Sequence, residues 1–391
     1  MTSKPVIHPS HTQFLEVATR EEPFVLQNGS RVGPVTIAYK TYGTLNASKT
    51  NAILIFHALS GSQHVTGFDP YGVGRFWGEE CQIGWWSDFV GPGKAIDTDK
   101  FFVLCCNYFG GCYGSTGPAD INPETGKPYG REFPYPTVSD IVDTQVRVLD
   151  ALGIETLLAA IGGSMGGFAA SDLAVRYPTR VRGVIPIASG LRATVLAKAL
   201  NFEQIYAIAE DRHFNGGDYY EGKAPWRGLL LARMISHKTF ISLDYLERRA
   251  REVIIQPTDI LSGHLLEHKV ESYMLHQGRK FIERFDANSY LRIITAWQSF
   301  DLPKTVADGD VTRALSACKD QRWLVFSIDS DVCFYPREQK EISDGLKANG
   351  IEHWYLTVHS DKGHDSFLLE PELFSPHIVF MLAALEREYC A

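Results

Sequence analysis

A chain of 391 residues with 45% hydrophobic content is long enough for one large α/β domain or two domains around a sizeable core. Its formal net charge of −8, with no basic stripe, leaves nucleic acid without electrostatic footing as a partner. No apolar run reaches the length of a membrane span, the first residues (Met-Thr-Ser-Lys-Pro) lack the apolar stretch of a secretory signal, and the seven cysteines show no paired metal spacing. The chain is therefore expected to be cytoplasmic, with reduced thiols, no membrane contact and no metal.

In chain order, residues 35–42 alternate in the manner of a half-buried strand, and Asn51–Phe56 is a continuous apolar run ending at His57, as in a central strand. Phe101–Cys106 is another such run. After the loop 118–136, rich in Pro, Gly and Asn, a helical pattern runs from Pro136-Thr137 to about Leu152. A strand at 156–161 leads into a helix over Met165–Arg176, closed by Tyr177-Pro178, and Val181–Ala188 reads as a buried strand. Residues 190–305 break the rhythm with helix after helix: Val195–Glu210, Leu229–Ile235, Leu243–Val253 and Leu265–Phe285. Strands return at Trp323–Ile328 and His353–Val358, and Pro376–Arg387 is a closing helix. Alternating strands and helices imply a mostly parallel sheet with helices on both faces. The division that follows is a core of 1–189 and 306–391, with 190–305 as a helical lid over the carboxyl ends of the strands, where open α/β sheets bind ligands.

Between the strand at 156–161 and its helix lies Gly162-x-Ser164-x-Gly166. This is the pattern of a nucleophile elbow, a tight turn that lifts a serine hydroxyl clear of the sheet. A free serine is a weak nucleophile, so a base and an orienting acid are needed. In the order Ser, then acid, then His, the acid falls just past the strand 323–328, where Asp331 is favoured over Asp329. The histidine falls after the last strand, where His364 is favoured over His359. His364 would take the Ser164 proton while Asp331 holds the imidazole. The oxyanion would meet the backbone N–H groups of Met165 and Leu59, the latter in His57-Ala-Leu-Ser-Gly61 after an early strand.

These residues resemble the homoserine O-acetyltransferase family of the α/β-hydrolase superfamily, over about residues 14–385. The matching stretches are Ala38-Tyr-Lys-Thr-Tyr-Gly-Thr-Leu-Asn46, His57-Ala-Leu-Ser-Gly61, Trp85-Trp86, Gly91-Pro-Gly-Lys-Ala-Ile-Asp97, Gly110-Gly-Cys-Tyr-Gly-Ser-Thr-Gly-Pro118, Gly162-Gly-Ser-Met-Gly-Gly167, Arg284-Phe-Asp-Ala-Asn-Ser-Tyr290 and Gly363-His-Asp-Ser-Phe367. The resemblance implies an α/β-hydrolase fold with an inserted helical lid, an acetyl-CoA donor, an acetyl-serine intermediate, and a homodimer built through lid helices. It also implies the triad Ser164, Asp331, His364, and Asp365 near the acceptor amine.

The chain departs from the family pattern at Phe168, after the elbow, and at Ile205, which aligns where the family carries an arginine for the homoserine carboxylate. An aliphatic side chain offers no charge-assisted contact to a carboxylate. Arg212, in the altered segment Asp211–Phe214, is a candidate to replace that charge from another backbone position, which the sequence leaves open. Tyr206 and Phe202 are candidate pocket residues. With the anchor absent, water becomes the default acceptor, and the expectation is hydrolysis of short-chain carboxyl esters. The alternative is O-acyl transfer from acetyl-CoA to homoserine or another hydroxylated acceptor, and beyond both stands a non-catalytic binding protein on this fold.

Overall fold

The alternating strand and helix signals resolve into a sheet of eight strands. The computed structural model describes residues 11–252, 260–261 and 263–390. The N-terminal pentapeptide and the Val253 end of one expected helix lie outside them. The strands are β1 (Gln13–Ala18), β2 (Val35–Tyr42), β3 (Ala52–Phe56), β4 (Phe102–Cys106), β5 (Leu157–Gly163), β6 (Val181–Ile187), β7 (Arg322–Ile328) and β8 (His353–Val358). Their spatial order is β1-β2-β4-β3-β5-β6-β7-β8. β2 runs antiparallel to both neighbours, and every pair from β4 to β8 is parallel. The central strands are buried on both faces, so they read as unbroken apolar runs rather than as alternation.

Successive side chains of β3 serve opposite faces. Leu54 and Phe56 join one core with Ile141, Leu149, Leu173 and Ile342, from helices α1 (Val138–Ala151), α2 (Met165–Arg176) and, further along the chain, Pro336–Ala348. Ile53 and Ile55 join the other core with Ile378, Met381 and Leu385 of the closing helix Pro371–Tyr389. α1 starts where the sequence places it: the Thr137 hydroxyl accepts from Asp140 N–H, and the Asp140 carboxylate returns the bond to Thr137 N–H. The closing helix begins five residues before Pro376, which lies inside it.

Between β6 and β7 the chain forms α3 (Val195–Ala209), α4 (Trp226–Phe240), α5 (Leu243–Glu252), α6 (Lys269–Ile282) and α7 (Ala287–Ser299). The two ends of this insertion are stitched together. Ala193 N–H donates to Phe300 O at 2.9 Å, and Leu302 N–H to Leu191 O at 2.9 Å. A two-stranded turn, Ile260–Leu261 with His264–Leu265, interrupts the helices. α7 is buried in the larger core through Leu291, Ile294 and Trp297, so the insertion ends as a core helix. Among the described residues no single helix is long and apolar enough to cross a membrane.

Candidate active site

Ser164 sits at the carboxyl end of β5 with φ 59° and ψ −128°, between that strand and α2. Its N–H donates to Ile187 O at 2.9 Å, and its carbonyl accepts from Gly167 N–H at 2.9 Å. A serine held at positive φ is strained, and the turn persists because its surroundings over-determine it. The flanking glycines make room. A methyl on Gly162 would lie 2.2 Å from Gly166 O, and one on Gly166 would lie 2.2 Å from Phe56 O. The Met165 N–H opens α2, at the positive end of its dipole. Leu59 is buried in the turn after β3, and its N–H makes no hydrogen bond among the described residues.

Two Asp–His pairs stand at the ends of β7 and β8, and burial separates them. Asp331 Oδ2 is 2.7 Å from His364 Nδ1, with the two side chains 0% and 3% exposed. Asp331 Oδ1 accepts from Cys333 N–H at 2.7 Å and Phe334 N–H at 2.9 Å, which fixes the carboxylate. Asp329 and His359 also pair at 2.7 Å, but with the histidine 82% exposed. A buried carboxylate fixes an imidazole ring far better than an exposed one. The His364 pKa is raised: burial pulls it down, but the charge and hydrogen bond of Asp331, with Asp365 beyond, outweigh that.

The ring of Phe367 joins the two halves of the site. A methyl on Gly163 would lie 2.4 Å from it, and it meets the His364 ring edge-on at 5.3 Å. Phe334 stacks on the other side of His364 at 5.4 Å. His364 Nε2 is buried and makes no hydrogen bond, so the bond to Ser164 is not closed in this conformation, as is common before substrate binds. Trp86 Nε1 donates to Phe367 O at 2.9 Å and so pins the segment that carries the histidine.

His57, just past the end of β3, is fully buried. Its ring stacks on Tyr108 at 3.6 Å, and burial lowers its pKa to about 4.

The helical insertion reaches this site. Gly363, at φ 76°, has Ser242 N 2.4 Å from where a methyl would stand, so only glycine lets the α4–α5 turn close on the residue before His364. The Phe240 ring lies 6.2 Å from the His364 ring.

Other expected pocket residues sit elsewhere. Phe168 is fully buried behind the site, stacked on Phe300 at 4.3 Å and edge-on to Phe334 at 5.3 Å, so it backs the ring that holds His364. Ile205 is half-buried against the core. Tyr206 and Phe202 are exposed on the outer face of α3, because the inner face is taken by Ala197, Asn201, Gln204 and Ile208. Arg212 lines an outer cleft with Tyr206 and Leu231. None of these supplies a cation to the triad.

A cation comes from α4 instead. The buried face of α4 is Leu229, Ala232, Ser236, His237 and Phe240, and Arg233 sits on its edge. Its guanidinium lies over Phe240 at 5.1 Å and Phe281 at 5.0 Å, and its Nε is buried without a hydrogen bond. It pairs with no carboxylate among the described residues. Burial, and then the charge of Arg284, lower its pKa to about 10, against the pull of Asp365. Asp365, next to His364, has its pKa raised to about 6 by burial, moderated by His364 and Arg233. Sequence reading missed Arg233. The available signal was a cation at the edge of the buried face of a helix whose neighbouring positions are mostly apolar.

Arg284, in the stretch Arg284–Tyr290, donates through Nη1 to Ser60 O at 2.9 Å and so holds the turn that contains Leu59. Asp286 of the same stretch caps α7 and accepts from the hydroxyls of Tyr219 at 2.7 Å and Tyr220 at 2.9 Å.

An eight-stranded sheet with a serine elbow and a late acid and histidine defines an α/β-hydrolase-fold enzyme, and residues 51–371 match the α/β-hydrolase-fold family. Two relatives sharpen this. A homoserine O-acetyltransferase of Rhodospirillum rubrum is 46% identical over 90% of this chain and 88% of its own. A homoserine O-succinyltransferase of Methylibium petroleiphilum is 43% identical over 89% of this chain and 88% of its own. The chain belongs to the homoserine O-acetyltransferase family. Among solved structures, a homoserine O-acetyltransferase of Bacillus anthracis superimposes with TM-score 0.83 at 27% identity, covering 96% of this chain and 98% of its own. Esterase E22 does so with TM-score 0.82 at 27% identity, covering 95% and 99%. In this family the acetyl donor, acetyl-CoA, is a substrate and not a resident cofactor.

Proposed function

We propose that the protein transfers an acyl group from a coenzyme A thioester to the hydroxyl of homoserine. The observation that carries this reading is Arg233: a guanidinium with no carboxylate partner among the described residues, one ring away from His364 and within electrostatic reach of Asp365. A half-buried cation with an unpartnered Nε is costly, and a substrate carboxylate offsets the cost. A cation available to an acceptor carboxylate weakens the premise for hydrolysis, and the names of the relatives favour transfer.

In the first half-reaction Ser164 Oγ attacks the thioester carbonyl while His364 Nε2 takes its proton. The N–H groups of Leu59 and Met165 meet the oxyanion. The tetrahedral intermediate expels the thiol, which leaves with the proton held by His364. In the second, homoserine seats its carboxylate on Arg233 and its ammonium toward Asp365. His364 then deprotonates its hydroxyl, which attacks the acyl-serine carbonyl; the tetrahedral intermediate expels Ser164 Oγ, which takes back the proton held by His364. The insertion acts as a lid whose α4 face lowers the water content of the site. α3 and α4 also form the interface of a homodimer.

A second reading is ester hydrolysis, favoured by the likeness to esterase E22: water replaces homoserine at the same acyl-serine. One assay separates the two. Acetyl-CoA is supplied with and without homoserine, and free acetate and O-acetylhomoserine are both quantified. Transfer requires O-acetylhomoserine as the main product, and Arg233→Gln should raise the homoserine KM about 10- to 100-fold, the range for losing hydrogen bonds to a charged group. Acetate released at the same rate with and without homoserine would reject transfer and leave hydrolysis standing. Succinyl-CoA run in competition decides the acyl group.

A further inference from the structure

An acyl-CoA donor carries its phosphates and adenine at the end remote from the reacting carbonyl. On a chain of formal net charge −8 such a polyanion needs a locally positive seat. A cleft of about 630 Å³ lies between the loop at Arg75–Phe76, the segment Tyr219–Trp226 and the end of α6 at Ile282–Glu283. Arg75 and Lys223 line it, both exposed and neither ion-paired among the described residues, against the single carboxylate of Glu283. Trp226 lines it as well, 41% exposed, with Tyr220 beside it.

The walls are held before any ligand arrives. Tyr219 and Tyr220 are fixed by their hydroxyl bonds to Asp286, and Lys280 of α6 pairs with Glu80, on the Arg75 side, at 2.9 Å. One wall of the cleft is joined through the chain to the turn that carries Leu59. Glu283 is followed by Arg284, whose guanidinium holds the Ser60 carbonyl at 2.9 Å, next to Leu59 of the oxyanion turn. A second cationic cleft, of about 500 Å³ with Lys49 and Arg182, lies at the amino ends of β5 and β6, the sheet edge opposite Ser164. An acyl group bound there is out of reach of the serine.

We infer that the Arg75–Lys223 cleft seats the 3′-phosphoadenosine diphosphate end of the donor. Its two cations face the phosphates, Trp226 and Tyr220 offer aromatic faces to the adenine, and the pantetheine arm runs past Arg284 to Ser164. The inference rests on the transferase reading and locates its donor.

The test compares two acetyl donors, acetyl-CoA and S-acetylpantetheine, which lacks the nucleotide. In the unmodified enzyme acetyl-CoA should have the higher kcat/KM. In the Arg75→Ala/Lys223→Ala variant that advantage should shrink at least tenfold, and inhibition by 3′,5′-adenosine diphosphate against acetyl-CoA should weaken in parallel. Arg182→Ala, at the opposite sheet edge, is the control and should leave the ratio where it was. An advantage kept in the double variant, or lost in Arg182→Ala, overturns the inference while the transferase reading stands. Absence of acetyl transfer to homoserine from either donor in the unmodified enzyme is a different result and removes the reading beneath it.

Discussion

At the scale of single residues, the difference between Asp331–His364 and Asp329–His359 is one of burial and not of distance, since both pairs are 2.7 Å long. This makes a pH prediction with a definite sign. His364 acts as a base only when neutral, and its pKa is raised above the usual histidine value chiefly by Asp331, acting against burial. The acid limb of kcat/KM should therefore lie above the ordinary histidine range, with activity lost as pH falls through it. Asp331→Asn removes the charge that raises the pKa, so the limb should move to lower pH while the plateau drops, by roughly 10⁴-fold if it follows the comparable triad. Asp329→Asn should move neither. A profile that shifts in Asp329→Asn and stays put in Asp331→Asn would reverse the assignment of the acid.

At the scale of elements, the elbow and the central strands were legible because their physics is local. Gly162, Ser164 and Gly166 announce a tight turn, and the doubly buried strands announce themselves as apolar runs. Gly166→Ala tests that turn: its methyl would stand 2.2 Å from Phe56 O, so β3 or α2 must move. Overpacking of this kind costs about 1–3 kcal/mol. The variant should melt lower and react more slowly with a fluorophosphonate at Ser164. Gly78→Ala, whose methyl meets nothing within 4 Å, is the control. Equal melting temperatures and labelling rates in the two would show that the elbow tolerates a side chain.

What sequence did not deliver depends on tertiary placement. β1 was missed because its residues are mostly exposed or half-buried on the sheet edge, with no apolar run to mark it. The helix Pro336–Ala348 was missed because most of its surface is polar. Arg233 was missed because the expected anchor was sought by alignment at Ile205 on α3, whereas the fold delivers a guanidinium from α4, the next helix of the lid bundle. Tyr206 was misplaced for a related reason. An apolar helix gives no periodicity from which to tell its inner face from its outer one.

At the scale of the whole molecule, that same uniformity of α3 argues for a partner. Its inner face is occupied by Ala197, Asn201, Gln204 and Ile208, yet Val195, Leu196, Phe202 and Tyr206 remain exposed, and Leu231 of α4 is exposed beside them. The exposed face also carries Lys198 and Glu203, but a cluster of large exposed apolar groups on one face marks an association surface. A second copy of the chain is the simplest partner, since a two-fold axis lets one patch cover itself. The expected outcome is a dimer by light scattering at micromolar concentration. Phe202→Asp/Tyr206→Asp should convert it to monomer, because burying a carboxylate at a self-facing position costs several kcal/mol on each side. Gln204, on the inner face of α3, accepts from the Tyr290 hydroxyl, and Tyr290 acts electrostatically on Arg233, so loosening α3 reaches the proposed homoserine site as well as the interface. The monomer should therefore show a raised homoserine KM while its circular dichroism stays native. A monomeric unmodified protein, or a double variant that remains dimeric, would move the interface away from α3.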